Sequence, residues 1–175
     1  SGIKRAGAGH AASSTLTTGY RYAEMGYTAG FEPAVLPINA RQAHMEMADV
    51  PLMDVGGYVM IGSDDFFLRL VASGAEQSVI NDYVAWAIHS SQCIGVKVVN
   101  PGGISAFKFN QRELDLDETH CYYGVTPRQI LKTVTRAVYE LGVPHPVHVH
   151  GCNLGVPGNI ETTLSTISGV EGLPI

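Results

Sequence analysis

The stretch Pro144-His-Pro-Val-His-Val-His-Gly-Cys-Asn-Leu-Gly-Val-Pro-Gly-Asn159 decides how the chain is to be folded. It reads as a short buried strand, Pro146 to His150, that runs into a polar loop and a helix start. Residues two apart on a strand share a face. If the extended geometry continues, His148, His150 and Cys152 line one side and form a possible metal corner, since imidazole and thiolate both ligate borderline cations. A second stretch answers it, Ile94-Gly-Val-Lys-Val-Val-Asn-Pro-Gly-Gly103. There Lys97 sits inside an apolar run, and a buried lysine is costly unless it is neutralised, paired or chemically changed. The structural reading of Lys97 is an amine that snorkels to water. That of His148 and His150 is a pair of hydrogen-bonded core or loop histidines. Cys152 reads as a small buried hydrophobe, and Asn153 as a turn cap or a group that orients substrate.

Working outward, the chain has 175 residues, a size taken by one domain. Hydrophobic residues make up 45%, enough for a core, while charged residues are only 15% against about 25% in ordinary domains. So little surface charge suggests that part of the exterior is covered, by more chain or by a partner. The net charge is -5 and there is no basic block, which disfavours nucleic acid. No run of ~18 apolar residues occurs, so no membrane span is expected. Three widely spaced cysteines, Cys93, Cys121 and Cys152, argue against a disulfide framework and fit a reducing cytoplasm.

Residues 1–14, rich in Gly, Ala and Ser, read as a flexible or vector-derived segment, and 15–175 as one domain. Helices are expected over Thr15–Met25, Ala40–Ala48 behind an Asn39 cap, Asp65–Ala72 behind a Ser63 cap, Glu76–Ser90, Thr126–Leu141 and Pro157–Ile167. Strands are expected over Tyr27–Glu32, Tyr58–Ile61, Ile94–Val99 and Val147–His150. Pro33 and Pro37 mark a loop, Pro51–Val55 a linker, and Trp86 a core position. Ser105–Tyr123 reads as a long irregular segment, functional or a partner surface by its length, and Gly169–Ile175 trails off. Alternating short apolar strands and helices predict a parallel sheet with helices outside, either doubly wound or a barrel. No GxGxxG or P-loop is present. About four strands in 175 residues, where an eight-fold barrel takes ~250, predict half a barrel with two open sheet edges.

Active groups in such folds sit at strand C-terminal ends, where His150 falls. A carboxylated lysine is an anionic two-oxygen bridge that can hold two divalent ions, and such ions activate water toward an amide or formamide carbon.

Three stretches carry a family resemblance: Gly19-Tyr-Arg-Tyr-Ala-Glu-Met-Gly-Tyr-Thr28, Gly95-Val-Lys-Val-Val-Asn-Pro-Gly-Gly103 and His148-Val-His-Gly-Cys-Asn-Leu-Gly-Val-Pro-Gly-Asn-Ile-Glu-Thr-Thr163. Together they resemble the A subunit of formylmethanofuran dehydrogenase and of the related formyltransferase/hydrolase complex, from about Ser14 onward. The resemblance implies an α/β fold, a partial (β/α)8 barrel of the amidohydrolase type spanning roughly its strands 2 to 5. It implies that Lys97 matches the carboxylated bridging lysine, and that His150, or else His148, matches a fifth-strand zinc ligand. Lys108 is a rival lysine beyond the Asn-Pro-Gly-Gly turn, and Asn153 a candidate substrate contact. The intact family site holds two zinc ions, which would polarise the formyl oxygen and supply hydroxide.

The implied substrate is a formylated methanofuran-type carrier, with formate released or used, and the implied partners are the other subunits of such a complex. Family members are several hundred residues long. They carry a His-x-His pair before this region and a histidine and an aspartate after it, so this chain is expected to be an internal fragment, inactive alone. Two further readings stand beside it. One is a non-catalytic half-barrel that dimerises through its open edges. The other is a different amidohydrolase, such as a cyclic amidase or deaminase, which the Asn153–Asn159 run disfavours.

Overall fold

A computed structural model describes residues 14–153 and 156–175; the expected flexible segment 1–14 lies outside them except for Ser14. That serine caps helix α1 (Thr15–Glu24), its hydroxyl accepting from Thr17 N. Four strands follow: β1 (Ala29–Val35), β2 (Asp54–Ile61), β3 (Gly95–Val99) and β4 (His148–His150). Between and after them run α2 (Ala40–Ala48), α3 (Asp65–Ala72), α4 (Gln77–Ser91), α5 (Gly103–Lys108), α6 (Pro127–Glu140) and α7 (Ile160–Ser168). Every strand pair is parallel and the spatial order is the chain order, β1-β2-β3-β4.

Sequential order and one-sided helix packing choose between the two expected architectures. Val59 and Ile61 of β2 and Val96 and Val98 of β3 point into a common core with Phe67, Leu68, Ile80, Val84, Ile130, Leu131 and Val134. Helices α2, α4 and α6 line up on that single face, α4 packing on both neighbours. A doubly wound sheet would carry helices on both faces; this one is a curled, four-stranded half-barrel. Its other face is concave and carries Phe31, Tyr58, Met60, Lys97, His148 and His150, the alternate residues of each strand and their register partners. The outer edges of β1 and β4 pair with no other strand among the described residues.

Local chemistry explains where the elements start. Thr126 caps α6 in a full capping box with Gln129, and Pro127 occupies the first turn, where its missing N–H is no loss. Seven residues of α6 are buried. At the end of β2, Gly62 adopts φ +95 while the side chains of Ile130 and Val98 crowd the place a Cβ would take, so neither the backbone nor the space suits another residue.

Several expectations need correction. The cap of α3 is Asp64, not Ser63: its carboxylate accepts from Phe67 N at 2.8 Å and from the Tyr83 hydroxyl at 2.8 Å. Asn39 precedes α2 but turns its amide oxygen back to Leu36 N. Strand β1 runs through Pro33, because the irregularity between Glu32 and Val35 lets a residue without an N–H sit on an edge strand. The expected linker Pro51–Val55 gives way to β2 at Asp54, and the last helix begins at Ile160 rather than Pro157. Trp86 is 53% exposed. Helix α4 carries two stripes at helical spacing, and the sheet takes Ile80, Val84, Ala87 and Ser91, leaving Trp86 to stack on Tyr83 at 5.6 Å. The segment Ser105–Tyr123, expected to be irregular, begins inside α5. The C-terminal residues do not trail off: Val147 N donates to Pro174 O, and Val170 is buried.

Candidate functional site

Lys97 occupies the middle of β3, flanked by Val96 and Val98, which face the helices. Its own side chain must therefore face the concave side, where it is only 7% exposed. Among the described residues the ion pairs belong to Lys108, Arg128 and Arg136, and none reaches Lys97. Burial pushes its ammonium below the ordinary lysine range, because a covered charge loses hydration that no partner replaces. The rival Lys108 ends α5 at the surface and pairs with Asp65 at 3.8 Å.

Register brings the histidines to the same face. Lys97 pairs with His148 and Val99 with His150, so both imidazoles share Lys97's side of the sheet, His150 one rung nearer the strand C-terminal ends. Their surroundings differ. The His148 ring meets Tyr58 edge-on at 5.4 Å across Gly95, whose absent side chain leaves the gap between β2 and β4 open: a Cβ there would stand 3.0 Å from the Tyr58 ring. Burial, and then the charge of Lys97, hold the His148 imidazole below its ordinary value. His150 instead meets Asn100, its Nδ1 lying 3.0 Å from Asn100 Oδ1.

Cys152 does not complete a corner with the two histidines, since the strand ends at His150 and the chain turns. The thiol is buried and is pushed up to about 11 by burial and by the Asp115 carboxylate, the opposite of a ready thiolate ligand. No group of three or more His, Cys, Asp or Glu gathers as a metal cluster among the described residues. Lys97 and His150 nevertheless fit one wall of a metal site. Lys97 is largely buried without an ion-pair partner among the described residues, a carbamate on it would be an anion for a cation to pair with, and His150 has one ring nitrogen against Asn100 and the other free to ligate.

Asn153, at φ +51, serves the scaffold. Its amide oxygen accepts from Leu114 N and its amide nitrogen donates to Asp115, which ties the long segment Phe109–Val125 to the end of β4. Arg128 holds the same segment by a two-point pair with Asp117 at 2.6 and 2.7 Å. Between segment and strand ends lies a hollow of about 260 Å³ bordered by Asn100, Gln111, Arg112, Cys152 and Asn153. A larger one, about 880 Å³, opens on the concave side by Phe31, Tyr58 and His148.

Sequence reasoning passed over Asn100, treating Asn100-Pro-Gly-Gly103 as a plain turn. An asparagine at a strand end is also a residue that reaches neighbouring groups through its side chain, and that was the available signal. It passed over His120 too, which is fully buried with Nδ1 accepting from Tyr122 N and Tyr123 N. No regular pattern marks a histidine folded into its own loop.

No model of a known protein family matches the chain. Among curated proteins it is 43% identical over 163 residues to the A subunit of the formyltransferase/hydrolase complex Fhc of Methylorubrum extorquens, covering 93% of this chain and 30% of that protein. It is 38% identical over 169 residues to Protein FwdA of Methanocaldococcus jannaschii, covering 97% and 30%. Among solved structures, the formyltransferase/hydrolase complex FhcABCD of Methylorubrum extorquens, in complex with methylofuran, contains a chain that superposes with TM-score 0.88 at 41% identity, over 99% of this chain and 32% of that one. The chain thus spans about a third of the length of the relatives it matches.

Proposed function

Because this chain is a homologue, nearly end to end, of a segment of the Fhc A subunit and of FwdA, we propose that it supplies one wall of the active site of a formyl-carrier hydrolase or dehydrogenase of the amidohydrolase type. The substrate is the N-formyl group of a methanofuran-type carrier, and the partners are the other subunits of such a complex. The observation that carries the reading is Lys97, a largely buried lysine without an ion-pair partner among the described residues, on the same face as His148 and His150. Lys97, as a carbamate, and His150 would be the residues of this chain that hold the zinc. When bound, the ions supply Lewis acidity toward the formyl oxygen and an acidified water. The chain's own residues hold the bridge at a fixed height in the sheet, orient the imidazole and wall off the concave side. His148, engaged with Tyr58, is the less suitable ligand. Asn153 acts on the carrier only indirectly, through the segment it tethers.

The test is a transplant. This chain replaces the homologous third of the Methylorubrum extorquens Fhc A subunit, and formyl-carrier hydrolysis by the assembled complex is followed. Activity is expected to survive, and Lys97→Met or His150→Ala to lower it by about 10²–10³-fold or more, as for loss of a group that stabilises developing charge. A folded, assembled and inactive chimera, or an active Lys97→Met form, overturns the reading. The chain by itself is expected to be inactive, since its described residues hold too few ligands.

The open edges of β1 and β4 and the exposed ring of Phe31 favour a second reading, a non-catalytic half-barrel that self-associates through these surfaces. Retained activity in the chimera removes it.

A further inference from the structure

We propose that Asn100 is the positioning residue for His150, a two-point clamp across the ends of β3 and β4 that fixes the ring's tautomer and aims Nε2 into the site. The inference rests on the reading of His150 as a ligand. Asn100 follows β3 immediately and has φ +39, a left-handed turn that asparagine tolerates better than most residues. That turn swings both its polar ends back toward β4. Asn100 N donates to His150 O at 2.9 Å, and Asn100 Oδ1 lies 3.0 Å from His150 Nδ1. Its own carbonyl accepts from Gly103 N, so the turn that carries the clamp is itself closed by a hydrogen bond.

An amide oxygen can only accept, so Nδ1 must carry the proton and donate it. The neutral ring then has its lone pair on Nε2. This is the arrangement that prepares an imidazole for a cation, with one nitrogen fixed by a neighbouring acceptor and the other free to ligate. His148 has no such partner among the described residues; it leans on Tyr58 instead. The clamp therefore distinguishes two histidines that strand alternation makes equivalent.

The deciding measurement is the tautomer of His150 in the whole, metal-free chain labelled with ¹⁵N-histidine, at a pH about two units above the ordinary histidine value. The His150 signal is assigned by its loss in His150→Gln. A protonated Nδ1 and bare Nε2 are expected. Asn100→Gly, which keeps the backbone at ease at positive φ while deleting the amide, is expected to lose that bias, and Asn100→Asp, whose carboxylate also accepts from Nδ1, to restore it.

In the chimeric complex, Asn100→Gly should weaken zinc retention about 10–100-fold and Asn100→Asp should recover it. A simple packing role would not produce that rescue. A wild-type ring protonated on Nε2, or an Asn100→Gly chain with unchanged tautomer, overturns the clamp; if Asn100→Gly does not fold, the wild-type tautomer alone decides. If the tautomer is as expected but the chimera binds no zinc, the clamp stands and the ligand reading falls.

Discussion

A single side chain, Lys97, concentrates the tension between folding and chemistry. With its folded pKa depressed by burial, the unfolded chain holds the lysine proton more tightly than the folded one. Stability should therefore rise with pH between the lowered folded value and the ordinary value near 10.5. Lys97→Met keeps the length and apolar body and removes the uncompensated charge. In the isolated chain it should melt higher than wild type near neutrality, since it no longer holds a charge that burial disfavours. The difference should shrink as pH climbs toward 10.5. Thermal melts of both chains at several pH values check this, and a Lys97→Met chain that melts lower at neutral pH would show that the amine has a stabilising partner. Such a gain, set against the loss expected in the chimera, is the pattern of a residue kept for chemistry at a cost in stability.

This much was legible from sequence, because a lysine in a run of valines violates the apolar pattern. The pairing of Lys97 with His148, and the offset of His150 by one rung, were not legible. Register is set by how β3 and β4 come together, and a shift of one residue would have sent both imidazoles to the helix side.

Among the elements, α6 carries the clearest local instructions. Its capping box, first-turn proline and apolar stripe all agree, and its bounds could be read from the sequence almost to the residue. Thr126→Ala removes an acceptor for Gln129 N and should cost about 0.5–2 kcal/mol. Leu131→Ala opens a hole under the sheet and should cost about 2–5 kcal/mol. Urea unfolding should show shifted midpoints with little change in slope; a Leu131→Ala cost under about 1 kcal/mol would mean the core relaxes around the hole. Helix α4 was harder to read, because Val79, Tyr83 and Trp86 look as helical as Ile80, Val84 and Ala87, and only the packed sheet selects between the stripes. The segment Phe109–Val125 has no periodicity to read. Its order comes from scattered side-chain ties, Asn153 to Leu114 and Arg128 to Asp117, each between residues distant enough in sequence to escape a local pattern.

For the whole molecule, a parallel sheet followed from strand and helix alternation, and half a barrel from four strands in a chain of this length; that the helices lie on one face was not legible, because alternation alone suits a doubly wound sheet equally. The concave face has the opposite character from the helix-covered one: Phe31 is about half exposed beside Tyr58 and His148. Burying a few hundred Å² of such surface is worth about 25 cal/mol per Å², less the cost of association. The isolated chain is therefore expected to self-associate, with an average mass in light scattering that rises with concentration. Phe31→Lys, placing a charge on the concave side near the β1 edge, should lower it. A wild-type chain monomeric at all concentrations would argue that the concave face tolerates water.

Each strand pairs only with the strand before and after it in the chain, so the sheet has an inside and an outside along its width as well as across its thickness. Amide protons of β2 and β3, bonded within a sheet that continues on both sides, open only with the core beneath them. Those of β1 and β4 each have a free flank and can peel away singly. Deuterium should thus enter from both margins and reach the centre last. Lys97, on one of the two inner strands, would keep its place while His150, on the three-residue margin, exchanges its backbone early.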